Sequence, residues 1–212
     1  MRLALRAVVF DYGMVLTEPP DEDAHEALVR ITGLAPEQLD KLYWADRAAF
    51  DSGALTGQEF WRGFAREIGL TLSEPTIEEL VHWDARMWMA INPAMLAWQS
   101  ELKKRGILTA IVSNMGDTVH AEMEREFEWL GRFDVLVWSY ELRVTKPDPA
   151  IYEYMLEKLG TRAEETMFID DRNVNVDAAV AMGMKGIVFT TVERLREDLV
   201  ASGLENEVPL PE

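Results

Sequence analysis

A chain of 212 residues, 48% of them hydrophobic, has enough apolar side chains for one sizeable core, or for one core with a small second domain. Its formal net charge of -17 speaks against nucleic acid and anionic membranes as partners, because phosphate-backbone binding needs clustered Lys and Arg. The absence of cysteine excludes disulfides, thiolate zinc sites and cysteine nucleophiles. No apolar run approaches the roughly 20 residues of a membrane helix, and the N-terminal segment carries Arg2, Arg6 and Asp11 with no small-residue cleavage site behind them, so a cytoplasmic protein is expected.

In chain order, the first element is an apolar run over residues 5–10, which ends in Asp11, Tyr12 and Gly13. From about residue 18 to 92 the pattern is helix after helix, over 21–32, 36–51, 56–68 and 76–89, with no strand. Beyond it, apolar segments at 108–112, 135–138, 167–169 and 186–189 alternate with helical patterns such as 95–105, 149–159 and 176–182. Such alternation predicts an α/β fold, a doubly wound parallel sheet with helices on both faces. The strandless stretch reads as a helical insertion between the first and second strands. The predicted division is a core of residues 1–17 and 93–212 and a helical domain of residues 18–92. The terminal ENEVPLPE reads as a fraying tail.

Polar residues follow the predicted strands: Asp11 after the first, Ser113 and Asn114 after the second, Asp170 and Asp171 after the fourth. Open parallel sheets bind ligands at the carboxyl ends of their strands, so these groups are expected to converge. Like charges that close raise one another's pKa unless neutralised, and oxygen ligands of this kind suit Mg²⁺. Lys146, in TKPDP, could supply a second positive charge. Each group also has a plain reading: Asp11 as a turn former, Ser113 and Asn114 as a helix N-cap, Asp170 and Asp171 as caps of a helix starting near Asn175. His25, His82 and His120 show no ligand spacing and read as surface or helix residues. The segment WDARMWMAINPAMLAW has the helical spacing of a core or a dimer face.

The set VFDYGMVL, AIVSNMG, RVTKPDPAIY and FIDDRNVNVDAA, in this order and spacing, resembles the haloacid dehalogenase superfamily of aspartate-nucleophile hydrolases. Within it, the chain is similar to subfamily IA and to the branch of the phosphatase domain of soluble epoxide hydrolase. The resemblance covers the whole chain: residues 18–92 resemble the family's helical cap, and GIVFTTVERLREDL its closing strand and helix. It implies that Asp11 is the nucleophile and forms an aspartyl phosphate. It implies that Ser113 and the amide of Asn114 hold the phosphoryl oxygens while Lys146 steadies nucleophile and phosphate. It further implies Mg²⁺ held by Asp11, the carbonyl of Gly13 and Asp171, with Asp170 as close partner, and a small phosphorylated metabolite as substrate. The protein is expected to be a monomer or homodimer.

Two positions depart from the family pattern. Most phosphatases of the superfamily carry a second aspartate, a general acid and base, where this chain has Gly13; its loss is expected to slow turnover, since such a group contributes typically about 10² to 10⁴-fold. Tyr12 is no substitute, because a phenol has a pKa near 10 and the strand pattern points it away from Asp11. Arg143 stands where relatives often have glycine. The expected activity is a Mg²⁺-dependent phosphomonoesterase; the alternatives are a metal-independent 2-haloacid dehalogenase and a catalytically weakened binding protein. Arg47, Arg62 and Arg86 are candidates for substrate contact from the cap, facing either the site or solvent.

Overall fold

The computed structural model describes residues 4–211; residues 1–3 and 212 of the predicted core, Arg2 among them, lie outside the described residues. Four apolar residues, Ala7–Phe10, form β1 and are all buried, as a central parallel strand requires. β1 pairs in parallel with β2 (Leu108–Ser113) on one side and β4 (Thr166–Asp170) on the other. β3 (Val135–Trp138) and β5 (Lys185–Val188) complete a five-stranded sheet of order β3-β2-β1-β4-β5. The register sets Phe10 beside Ile111 and Ile169, so the chain leaves these three strands at one edge of the sheet. Strand order reverses about β1, and that edge is where a ligand site is expected.

Alternate side chains of β1 enter opposite layers. Val8 and Phe10 pack with Trp98 of α6 (Pro93–Lys104), Met123 of α7 (Asp117–Glu126) and Leu199 of α11 (Val192–Ala201). Ala7 and Val9 pack with Ile151 and Met155 of α9 (Pro149–Leu159) and Ala179 of α10 (Asn173–Ala181). The helix α7, which no apolar periodicity announced, closes the first of these layers.

Between β1 and α6 run α1 (Glu22–Thr32), α2 (Pro36–Ala45), α3 (Arg47–Asp51), α4 (Gly57–Glu67) and α5 (Glu74–Arg86). They share a third apolar cluster that includes Leu28, Tyr43, Phe60, Trp61 and Leu80. The chain leaves and returns through an antiparallel bridge between Thr17 and Ile91. Local chemistry starts these helices: Thr56 and Glu59 form a reciprocal capping box on α4, and Ser73 accepts from Thr76 N to open α5.

Two expectations are corrected. The single helix expected over 36–51 is two, separated at Asp46 with φ -105° and ψ 3°. Contacts outside the insertion outweigh the local pattern there: Ser139 Oγ donates to Asp51 O at 2.5 Å, and the Phe50 ring lies against Gly116. The C-terminal segment, as far as residue 211, is packed against the core where a loose tail was expected. Val208 and Leu210 are buried in the first layer, Trp98 Nε1 donates to Val208 O, and Leu5 N donates to Glu207 Oε2 at 2.9 Å. Among the described residues, no helix is long and apolar enough to cross a membrane.

Candidate active site

At the shared strand edge, Lys146 Nζ lies 2.8 Å from Asp11 Oδ1 and 2.6 Å from Asp170 Oδ2. All three side chains are almost fully buried. Asp11 follows β1, Asp170 is the last residue of β4, and Lys146 arrives from the loop after α8 (Ser139–Leu142). That loop is held by Asn114, whose Nδ2 donates to Lys146 O at 2.9 Å and whose Oδ1 accepts from Lys146 N at 2.8 Å. Ser113, the buried last residue of β2, lies beside it. Neither residue caps a helix, since α7 begins at Asp117 with Gly116 as its N-cap.

Lys146 pairs with two of the three carboxylates gathered here, Asp11 and Asp170, and not with Asp171. Oxygens of Asp11, Asp170 and Asp171 lie within 4.8 Å of one another. Burial, and then the charge of Asp170, push the Asp11 carboxyl up to about 8 despite the pull of Lys146. Burial acts on Asp170 as well, but Lys146, the Arg172 amide and the Asn175 side chain outweigh it and hold that carboxyl low. Burial and Asp170 raise Asp171. This surplus of buried negative charge and hard oxygen donors fits a divalent cation.

The carboxylates differ in what they face. Asp11 and Asp171 line a cavity of about 720 Å³, with Ser113, Asn114 and Lys146 on the same wall. Asp170 is fully buried behind them, its Oδ1 accepting from Arg172 N and Asn175 Nδ2, each at 2.9 Å. Asn175 is the residue the sequence reading passed over. Its signal was its place one turn into the helix that follows the paired acids.

The opposite wall comes from the helical insertion. Arg47 lines the cavity, but its Nε donates to Asp51 at 2.8 Å and its Nη1 to Asp84 at 3.1 Å, while Asp84 also accepts from Tyr43 and Trp61. Arg62 instead pairs with Glu74, and Arg86 with Glu126 at 3.0 Å. Gly13 lies on the cavity wall with ordinary, negative φ; a Cβ there would meet the Trp88 ring at 3.5 Å. The Tyr12 amide donates to Asp11 Oδ1 at 2.6 Å, and its hydroxyl donates to Trp88 O at 2.7 Å, so the phenol is engaged away from the carboxylate. Arg143 adopts φ 61°, in the left-handed region that favours glycine, and its guanidinium donates to Gly53 O.

Known proteins resemble the chain in sequence and in fold. The mouse (Mus musculus) bifunctional epoxide hydrolase 2 is 29% identical over 99% of this chain, which spans 41% of that protein's length. A phosphatase of Mycobacterium tuberculosis, MT3486, is 28% identical over 93% of both chains. A haloacid dehalogenase family enzyme of Bacteroides thetaiotaomicron, solved with magnesium and inorganic phosphate, superposes with a TM-score of 0.75 at 21% identity, covering 90% of this chain and 98% of its own. The family of haloacid dehalogenase-like hydrolases matches residues 5–183. The chain belongs to the haloacid dehalogenase-like hydrolases.

Proposed function

We propose that the protein is a Mg²⁺-dependent phosphomonoesterase of small phosphorylated metabolites, with residues 18–92 acting as a cap over the site. The observation that carries this reading is the buried Asp11–Lys146–Asp170 array beside Asp171, open to a cavity at the strand edge. The phosphatase named among the relatives, and the family enzyme solved with magnesium and inorganic phosphate, support it.

In this reading Asp11, Asp171 and the Gly13 carbonyl hold the ion, and Asp170 stands behind them. Bound there, Mg²⁺ supplies the positive charge that lets a carboxylate meet a phosphate dianion. Lys146 and the Tyr12 amide both hold Asp11 Oδ1, which leaves Oδ2 to attack phosphorus. The bond from phosphorus to the leaving oxygen breaks as the aspartyl phosphate forms. Ser113 and the Asn114 amide support the phosphoryl oxygens, and Lys146 offsets their charge. With Gly13 in place of a carboxylic acid, the leaving oxygen takes its proton from solvent, and water hydrolyses the aspartyl phosphate without a positioned base. Turnover is accordingly slow.

The metal-independent alternative fares worse on the same geometry. Burial and the charge of Asp170 raise the Asp11 carboxyl well above the ordinary carboxylate range, so an added cation would favour its ionised, attacking form, and the paired Asp170 and Asp171 call for such a cation as well. The deciding experiment is a screen of purified protein against phosphorylated sugars, acids, alcohols and nucleotides, with Mg²⁺ and with chelator. Hydrolysis in Mg²⁺ that disappears on chelation is expected, and hydrolysis that survives chelation would overturn the reading.

A further inference from the structure

The helical insertion is bound to the core along two separate lines. One is its stem: besides the Thr17–Ile91 bridge, Glu18 N donates to Ala90 O at 2.8 Å and Asn92 N to Leu16 O at 2.9 Å, and the Tyr12 hydroxyl donates to Trp88 O. The other lies where α3 gives way to α4, against the segments that follow β2 and β3. Ser139 Oγ donates to Asp51 O and accepts from Met115 N at 3.0 Å, so one buried hydroxyl joins the insertion to both segments. Arg143 donates to Gly53 O, and Asp117 Oδ1 accepts from Gly57 N at 3.0 Å. Gly57 opens α4, where an amide has no carbonyl of its own helix to donate to, and an acid of the core satisfies it.

This second line leaves no slack. A Cβ at Gly116 would strike the Phe50 ring, one at Gly53 the Tyr140 carbonyl, and one at Gly57 the Thr118 side chain. Gly57 and Gly116 have no positive φ, so their missing side chains serve close approach rather than backbone conformation. Swinging the insertion about its stem would part all three contacts and bring the Phe50 ring, now fully buried, into water. Reaching the site calls for no such motion. Met14, Trp44 and Arg172, which line the main cavity, are exposed with the insertion docked, so the cavity already meets solvent. The same mouth admits the water and protons that a site with Gly13 draws from solvent.

We propose that the contacts of residues 50–57 with Gly116, Asp117, Ser139 and Arg143 latch the insertion to the core, so that it is a fixed wall of the cavity and ligands exchange through the open mouth without its moving. This rests on the reading of residues 18–92 as a cap over a phosphatase site. The absence of cysteine lets labels be placed singly. Spin labels at Glu78→Cys in α5 and Glu157→Cys in α9, both exposed positions, should report one narrow distance, unchanged by Mg²⁺ with inorganic phosphate. With Asp117→Ala and Arg143→Gly added, longer distances should appear in a chain whose melting curve shows it folded. A second distance in the parent, a shift on adding Mg²⁺ and phosphate, or a distribution untouched by removing the two bonds would each overturn the proposal. A disulfide supplies the functional arm: a Cβ at Gly57 lies 3.3 Å from Thr118 Cβ, near the roughly 3.5 to 4.5 Å of such a bond. Oxidised Gly57→Cys/Thr118→Cys should hydrolyse p-nitrophenyl phosphate as fast as its reduced form. A rate lost on oxidation and regained on reduction would show that the insertion must move, and would overturn the proposal too. If the parent turns over no phosphate ester in Mg²⁺, the phosphatase reading fails, and the label distances still decide the latch.

Discussion

Asn114 clasps Lys146 by its backbone: one side-chain amide donates to the lysine carbonyl and accepts from the lysine amide. Both bonds act on the main chain, so the ammonium is left to reach Asp11 and Asp170. The pair converts two distant points of the sequence into one rigid unit.

Removing that clasp should misplace the cation without removing it. Asn114→Ala is expected to lower kcat by about 10²-fold, the scale associated with a misplacement of about 1 Å at a reacting group. The variant should keep its fold, since β2 remains intact. Steady-state kinetics beside a melting curve would check this, and a parent-like kcat would show that the lysine loop holds itself.

Gly13 offers the opposite experiment, a gain. Its φ is not positive, and a Cβ meets Trp88 only at ordinary contact distance, so Gly13→Asp can be accommodated. The rate for alkyl phosphates should rise, within the roughly 10² to 10⁴-fold that general acids supply. Aryl phosphates, whose leaving groups need little protonation, should gain less. Single-turnover rates for one substrate of each kind would decide, and equal changes would place the proton transfer elsewhere.

Asp84 gives a pH signature in the helical insertion. Burial pushes this carboxyl up to about 6 from an ordinary 3.8, against the pull of Arg47. Its folded pKa lies above the unfolded one, so the folded state holds the extra proton between those values. The stability from that proton is complete below about pH 4 and is lost as pH rises through about 6. Asp84→Asn cannot titrate. Urea midpoints at pH 5 and pH 7.5 should therefore show the variant improving relative to the parent as pH rises, and a pH-independent difference would remove the assignment.

The C-terminal segment should behave as core. Val208→Ala is expected to cost about 1 to 3 kcal/mol, because its side chain is fully buried beside Trp98. Truncation after Leu204 should cost more. Denaturant midpoints would check both, and a truncated chain as stable as the parent would mean that the segment only rests on the surface.

How far the sequence could be read depended on the range of the interactions involved. β1 was legible because Ala7–Phe10 is a short apolar run, buried on both faces, that ends at a charge. Asp11, Ser113, Asn114, Lys146, Asp170 and Asp171 could be gathered because parallel strands deliver their ends to one edge. The division of labour among the acids was not visible: only the fold shows Asp170 closed in by Asn175 and Lys146 while Asp171 faces the cavity. The break at Asp46 and the docking of Val208 both rest on contacts with distant residues, which local periodicity does not record. The same holds for Arg47, whose neighbours Asp51 and Asp84 decide that it serves the insertion's interior.

The account depends most on Asp11 acting as a covalent nucleophile. With no acid or base at position 13, breakdown of the aspartyl phosphate lacks a positioned base, so with an aryl phosphate, whose leaving group needs little protonation, the intermediate should accumulate. Acid quenching of a single turnover with such a substrate carrying radiolabelled phosphate in Mg²⁺, followed by peptide mapping, tests this directly. The label is expected on the peptide containing Asp11, and it should be absent with chelator and in Asp11→Asn. Substrate turned over with no label on the protein, or label retained in Asp11→Asn, would contradict the account.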